Sequence, residues 1–337
     1  MRNKVIYIND FHEGCLVLDN PVFRADYPVR LSRQILGATA LDTERPYHLE
    51  SKRIWRSAFS RTNVERKYRE IIETSMVEGF RLAEERNDLL LTTSFIPNRI
   101  LLRLMNLPDT DPLVHHQNIK AIVTYFEDGI HTEASKAAFA YAHDPKFERA
   151  CDIFRELPSA KDRINELSLL LIGAVETTGI AMKILCGVWH SRHQELERLI
   201  ADHGMDGAIL RILIDDVPLG LATRHCSKDM KLADIEISRG DIVHVDIMKS
   251  HRNENARGES SRLTADNHLV WGRGRHRCPG SNLAKAELKL YLEKLMTFVP
   301  GDFTMESAEG VQRPVTFRHT TCTSISRCPV HREKISS

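Results

Sequence analysis

The sequence predicts one mainly α-helical domain with a small β portion over residues 1–337, and three observations carry that expectation. Apolar residues recur at helical spacing over long stretches, two segments alternate as strands do, and no repeat, low-complexity tract or Pro/Gly/Ser linker divides the chain. The first helix is capped at Asn63 and continues through Val64, Tyr68, Ile71, Ile72 and Met76. A second helical pattern runs from Asp162 to about Trp189. Met230 to Asp246 alternates, with turn signals at Arg239-Gly240, and is expected as a β-hairpin. An amphipathic helix is expected over 281–295, and the Thr/Ser-rich tail, Val315 to Val330, is strand-like.

Composition narrows the class. Hydrophobic residues make up 42%, ample for a buried core, and the formal net charge of +1 gives nucleic acid no general attraction. Seven cysteines, odd in number and scattered, suit a reducing cytosol better than a disulfide framework. Cys15, Cys151, Cys186, Cys226, Cys322 and Cys328 are expected to be ordinary thiols. The mixed, charged start and the lack of an evident apolar span predict a cytoplasmic protein without leader or membrane segment.

One segment departs from this plainness: Trp271-Gly-Arg-Gly-Arg-His-Arg-Cys278-Pro-Gly280. Glycines allow backbone geometry closed to other residues and close approach to a flat ligand. A cysteine at the start of a helix has its thiolate stabilised by the helix end, and a thiolate can ligate iron. A Gly/Arg loop carrying a buried thiol would account for the cysteine, but not for the alternate glycines or for His276. Zinc would need a second close Cys or His pair, which is missing. A second feature is Gly173-Ala174-Val175-Glu176-Thr177-Thr178, which puts a carboxylate and two hydroxyls into an apolar helix. Such groups are kept when paired or used; alternatively Thr177 bonds back to its own helix and Glu176 caps a neighbour.

The decad resembles the heme-binding loop of the cytochrome P450 monooxygenases, Phe-Gly-x-Gly-x-His-x-Cys-x-Gly, with Trp271 replacing Phe. Leu283-Ala284-Lys285-Ala286-Glu287-Leu288 is similar to the opening of that family's proximal helix, and 173–178 resembles its acid-alcohol segment. The resemblance implies a P450-like fold, heme b, Cys278 as axial iron ligand, and Glu176 and Thr177 as the oxygen-activating pair. Pro46 to Phe59 resembles the family's Pro-x-His-x-x-x-Arg-Arg segment. It implies that His48, Lys52, Arg224, His268 and His276 hold the propionates, with Trp271 and Gly272 in the heme loop. Substrate would meet Ala174, Val175, Leu219, Leu221, Thr321, Cys322 and Thr323. Arg273, Arg275, Arg277 and Lys285, joined by Lys52, Arg53 and Arg56, would receive a ferredoxin or flavodoxin.

Two departures stand beside these matches. The family's Glu-x-x-Arg falls on Ala208 and Arg211, so the acid is missing; Asp215 or Asp206 is a candidate substitute, and Arg262 the second arginine of that contact. The chain is also short before His48 and between Asp111 and the distal helix, where a carrier or partner protein could complete the substrate roof. The activity implied is oxidation of a small organic substrate, by hydroxylation or oxidative coupling, in specialised metabolism. A non-hydroxylating dehydration, rearrangement or cyclisation, and a heme-poor pseudoenzyme that acts as a binding partner, are the alternatives.

Overall fold

The computed structural model describes residues 3–27, 30–44, 46–307, 317 and 322–327. The chain opens with β1 (Val5–Ile8), α1 (Phe11–Asp19), β2 (Phe23–Arg24), α2 (Leu31–Leu36) and α3 (Tyr47–Ala58). Asp10 caps α1 by accepting from Glu13 N, and so satisfies a donor that the helix leaves free. The short α4 (Arg61–Asn63) passes through a π-turn into α5 (Arg69–Arg86), then α6 (Leu91–Leu104), α7 (Pro112–Asp128), α8 (Glu133–Ala142) and α9 (Pro145–Ala150). The expected cap is Ser60 rather than Asn63: its hydroxyl accepts from Asn63 N.

The predicted central helix is two collinear pieces, α10 (Ala160–Gly173) and α11 (Glu176–Ser191). By length and composition Ala160–Ser191 could cross a membrane, contrary to the sequence expectation, yet most of its apolar stretch is buried within the fold. Trp189, Leu185 and Cys186 lie wholly inside the larger core. α12 (His193–Asp215) follows, broken at Gly204. The last elements are β3 (Leu221–Cys226), β4 (Met230–Leu232), β5 (Ile235–Ile237), β6 (Ile242–Asp246), α13 (Ile247–Asn255), α14 (Ser281–Leu295), β7 (Phe303–Ser307) and β8 (Cys322–Arg327).

The hairpin expectation is half right. The hairpin is β4–β5, turning at Ala233-Asp234, while β6 leaves it for a four-stranded sheet of order β1-β6-β3-β2. There β6 runs antiparallel to β3 and parallel to β1. Alternation marks a strand but not its partner, and Arg239-Gly240 proves to be the corner between two sheets. Of the tail, β8 pairs with β7, Phe317 bridges Leu219, and Thr321 and Cys328 lie outside the described residues. A second apolar core under the sheet joins Phe11, Val17 and Leu18 of α1 to Val243, Val245 and Leu269, and so brings α1 against the approach to Cys278.

Candidate active site

The segment from Leu269 to Gly280 folds as a closed loop. Gly272 N donates to Leu269 O (2.9 Å) and Cys278 N to Trp271 O (2.8 Å). Gly272 and Gly274 have φ of +66° and +64°, the left-handed region that favours glycine, and a Cβ on Gly274 would stand 2.7 Å from Leu18 O. Glycine is therefore required twice: for backbone shape and for the close approach of α1. Arg273 ties the loop to α1 through Asp19 (2.6 Å) and to Asn267 (3.0 Å).

Cys278 stands just before α14 and is the only exposed cysteine among the described ones. Burial among the surrounding protein atoms nevertheless pushes its thiol up. Against burial, the N–H groups of Gly280 and Ser281, with Lys52 and Arg277, favour the thiolate. Lys52, 4% exposed, donates to Arg277 O, and burial lowers its pKa to about 8 although the Cys278 sulfur opposes that shift. It therefore serves the sulfur side, not a propionate, and is not a surface cation for a partner.

A cluster of cations lies on the other side of the loop. His48 Nε2 donates to Arg275 O (3.0 Å), its ring is 4.3 Å from that of His276, and Nδ1 of both rings is buried without a partner. Glu44 accepts from Ala25 N (3.1 Å), sits 3.0 Å from Arg275 Nε, and lies 3.4 Å from His276 Nε2. Burial would raise Glu44, but these donors hold it down at about 2. Burial lowers His276 to about 4, so at neutral pH it is uncharged; its hydrogen bond is the foremost of the contacts that hold Glu44 down, followed by the Ala25 N–H and, more weakly, Arg275. Arg224, 6% exposed, is lowered to about 10 by burial and by its neighbours Arg30 and Arg275. Its Nη1 reaches Thr223 O, its Nε has no partner, and neither it nor Arg30 has an ion-pair partner among the described residues. Arg30 is half-buried and donates to Ala25 O (3.2 Å), but a buried Arg224 guanidinium without a counter-charge is costly alone. Arg224, with Arg30 as its neighbour, fits the carboxylates of a heme, and the bare Trp271 Nε1 adds a further unused donor.

α3 is held in place by Glu166 of α10, fully buried, which accepts from Trp55 Nε1 (2.7 Å), Tyr47 OH (3.1 Å) and Ala40 N (2.7 Å). At the other end of α10 the helix is interrupted at Ala174-Val175, and the Thr177 hydroxyl donates to Gly173 O (3.0 Å). The back-bond weighed from sequence is thus present, and it leaves the hydroxyl's lone pairs free to accept. Burial pushes the Glu176 carboxyl up, opposed by Lys120 of α7 and Lys183 of α11.

The structure brings His48, His276, Arg224, Trp271, Gly272 and Cys278 together around the loop. His268 does not join the Arg224 group: its Nδ1 accepts from Val270 N (3.2 Å), and Arg277 and Lys285 are its cationic neighbours. Cys322 belongs to the main core, and Thr323 is exposed and donates to Glu306 O (3.1 Å), so β8 turns that side chain outward. Val175 is buried, and Ala174, Leu219 and Leu221 are half-buried. A cavity of about 430 Å³ lies elsewhere, lined by Gln34, Tyr125, His131, Phe139 and His143 between α2, α7 and α8. Sequence reasoning missed Arg30, Glu44 and Glu166, which carry no motif. Asp215 accepts from Asn255 (2.8 Å) and Asp206 is exposed; neither forms an ion pair with Arg211, itself exposed, and Arg262 engages through its backbone N–H.

Among the described residues no group of three His, Cys, Asp or Glu surrounds a common point, so Cys278 offers a metal one protein ligand. No family model matches the chain. It is 24% identical over 310 residues to the mycinamicin IV hydroxylase/epoxidase of Micromonospora griseorubida, spanning 83% of this chain and 77% of that protein. It is 28% identical over 179 residues to the vitamin D3 dihydroxylase of Streptomyces griseolus, spanning 50% of this chain and 43% of that one. Among solved structures it superposes on P450BioI, in complex with an acyl carrier protein ligated to hexadec-9Z-enoic acid, with a TM-score of 0.79, 17% identity, and 95% and 92% of the two chains covered. CalO2 gives a TM-score of 0.79, 19% identity, and 96% and 90% coverage, so the expected shortening is modest.

Proposed function

Proceeding from the cytochrome P450 superfamily, to which the chain belongs by its fold and its cysteine loop, we propose that it is a single-domain, cytoplasmic heme-thiolate monooxygenase that oxidises a small organic substrate. The observation that carries this reading is the pairing of a presented Cys278 sulfur with the buried Arg224 guanidinium, which has no ion-pair partner among the described residues, and four bare donor or acceptor atoms on His48, His276, Arg224 and Trp271. Cys278 would ligate the iron, and Arg224, with Arg30 beside it, would hold the propionates; Nδ1 of His48 and His276 would join them as N–H donors of protonated rings, a form that the propionate charge favours. Bound heme supplies dioxygen activation, driven by electrons from a donor.

The chain's own residues do the rest. The Gly280 and Ser281 N–H groups, with Lys52 and Arg277, favour the Cys278 thiolate against the burial that raises its thiol. Thr177, its proton spent on Gly173 O, accepts a hydrogen bond and can orient a water. Glu176, raised by burial, holds a proton closer to neutral pH than an exposed carboxyl and can pass it toward Thr177. Exposed Arg56, Arg277 and Lys285, without Lys52, form a smaller basic face than expected, suited to an acidic ferredoxin or flavodoxin.

The test is the purified protein reduced under carbon monoxide. A red-shifted, thiolate-type Soret band that disappears in Cys278→Ala supports the reading; its absence from the wild type in heme-replete protein overturns it. Product formation that continues without dioxygen or reductant would instead favour a non-hydroxylating reaction.

A further inference from the structure

Ala208 is fully buried where the family signature puts an acid, and Arg211 is exposed, so the usual carboxylate contact behind the cysteine loop is missing. Contacts to the loop's approach come instead from α13. Glu254, 1% exposed, accepts from Arg262 N through Oε1 (2.7 Å) and from Arg257 Nη1 through Oε2 (2.6 Å). Arg257 reaches on to Asp10 (2.7 Å), the cap of α1. One turn earlier, His251 is fully buried: Nδ1 donates to Ile214 O at the end of α12 (3.0 Å), and Nε2 accepts from Leu269 N (2.9 Å). Both ring nitrogens are used, which fixes the tautomer and spans from the signature helix to the first residue of the loop.

The two side chains hold both ends of the loop's approach. Arg262 O accepts from Asn267 Nδ2 (2.9 Å), Asn267 Oδ1 accepts from Arg273, and Leu269 O accepts from Gly272 N. We infer that His251 and Glu254 are positioning residues that replace the missing Glu-x-x-Arg contact, anchoring residues 262–272 from α13 so that Cys278 is presented at a fixed place. The inference rests on Cys278 being the iron ligand proposed above, but its mechanical part can be read from amides alone.

The experiment compares hydrogen exchange and reduced carbon-monoxide spectra of the heme-loaded protein with those of His251→Ala, Glu254→Ala, Glu254→Gln and Arg211→Ala. In the first two, amides of 262–272 should exchange at least about tenfold faster while α11 and α14 keep their protection. The thiolate-type band should also convert to a thiol-type band at a denaturant concentration where helical circular dichroism is still intact. Glu254→Gln, which keeps an acceptor for Arg262 N, should restore most of that protection, and Arg211→Ala should change neither readout. Unchanged exchange, uniform acceleration across all helices, or loosening by Arg211→Ala would each overturn the inference. If an alanine variant fails to fold, His251→Gln decides: Leu269 must exchange faster while Arg262 does not. A wild type lacking the thiolate band would defeat the heme reading and leave the exchange comparison to judge the anchor.

Discussion

The two sides of the cysteine loop are built on opposite terms. Toward α1 and α13 the polar groups that hold the loop are partnered: Arg273 with Asp19 and Asn267, Leu269 N with His251, Arg262 N with Glu254. Toward α3 and β3, polar atoms stand bare: Nδ1 of His48 and His276, Nε of Arg224, and Nε1 of Trp271. Bare buried atoms also occur elsewhere, as at Ser250 Oγ of α13 and Glu287 Oε2 of α14; it is the gathering of four of them beside the unpaired Arg224 that fits a ligand. The paired side should therefore carry the stability of the protein alone, and the bare side should carry affinity for heme.

Substitutions can break that division. The largest effect on the protein alone is expected at Glu44, which straddles it. Its folded pKa of about 2 lies below the ordinary 4.5, so its contribution is complete above pH 4.5 and is lost as pH falls through about 2. Glu44→Gln should cost about 3 kcal/mol at pH 7 and nothing below about pH 2, as denaturant titrations across pH would show. On the paired side, Gly274→Ala forces a side chain into a left-handed backbone against Leu18 O and should cost about 2 kcal/mol in thermal or urea unfolding. On the bare side the sign should reverse. Arg224→Leu should leave the heme-free protein as stable or about 1 kcal/mol more so, while heme dissociates faster in a transfer assay. Thr177→Ala should be the mildest, within about 0.5 kcal/mol of wild type, because the hydroxyl bonds only to its own helix. Its effect should appear as less product per electron consumed; unchanged coupling would remove Thr177 from proton delivery.

Legibility in the sequence followed the range of the interaction. The cysteine loop could be read because its geometry is written into consecutive residues: glycines at 272 and 274, and a helix beginning at Ser281. α10 and α11 were visible as periodicity, though their interruption at Ala174-Val175 was not, since no proline or glycine stands at the break itself. The partner of β6 could not be read, because alternation is indifferent to which edge a strand joins. Glu254 sits in a polar run that looks like a solvated helix face, and only the arrival of 262–269 buries it. The unpaired state of Arg30 and Arg224 is likewise a property of the assembled fold.

The parallel pairing of β1 with β6 bears on how the chain reaches that fold. Val5 lies beside Ile242, and Lys4 N donates to Asp241, a residue 237 positions further along the chain. No local turn can bring such strands together, so the entropy of closing that long excursion is met before the pairing stabilises anything. During synthesis β1 and the helix behind it must wait as an unpaired segment until β6 emerges from the ribosome. The wall against which the cysteine loop rests is thus made well before the strand that completes it, and finds its place only when that strand arrives.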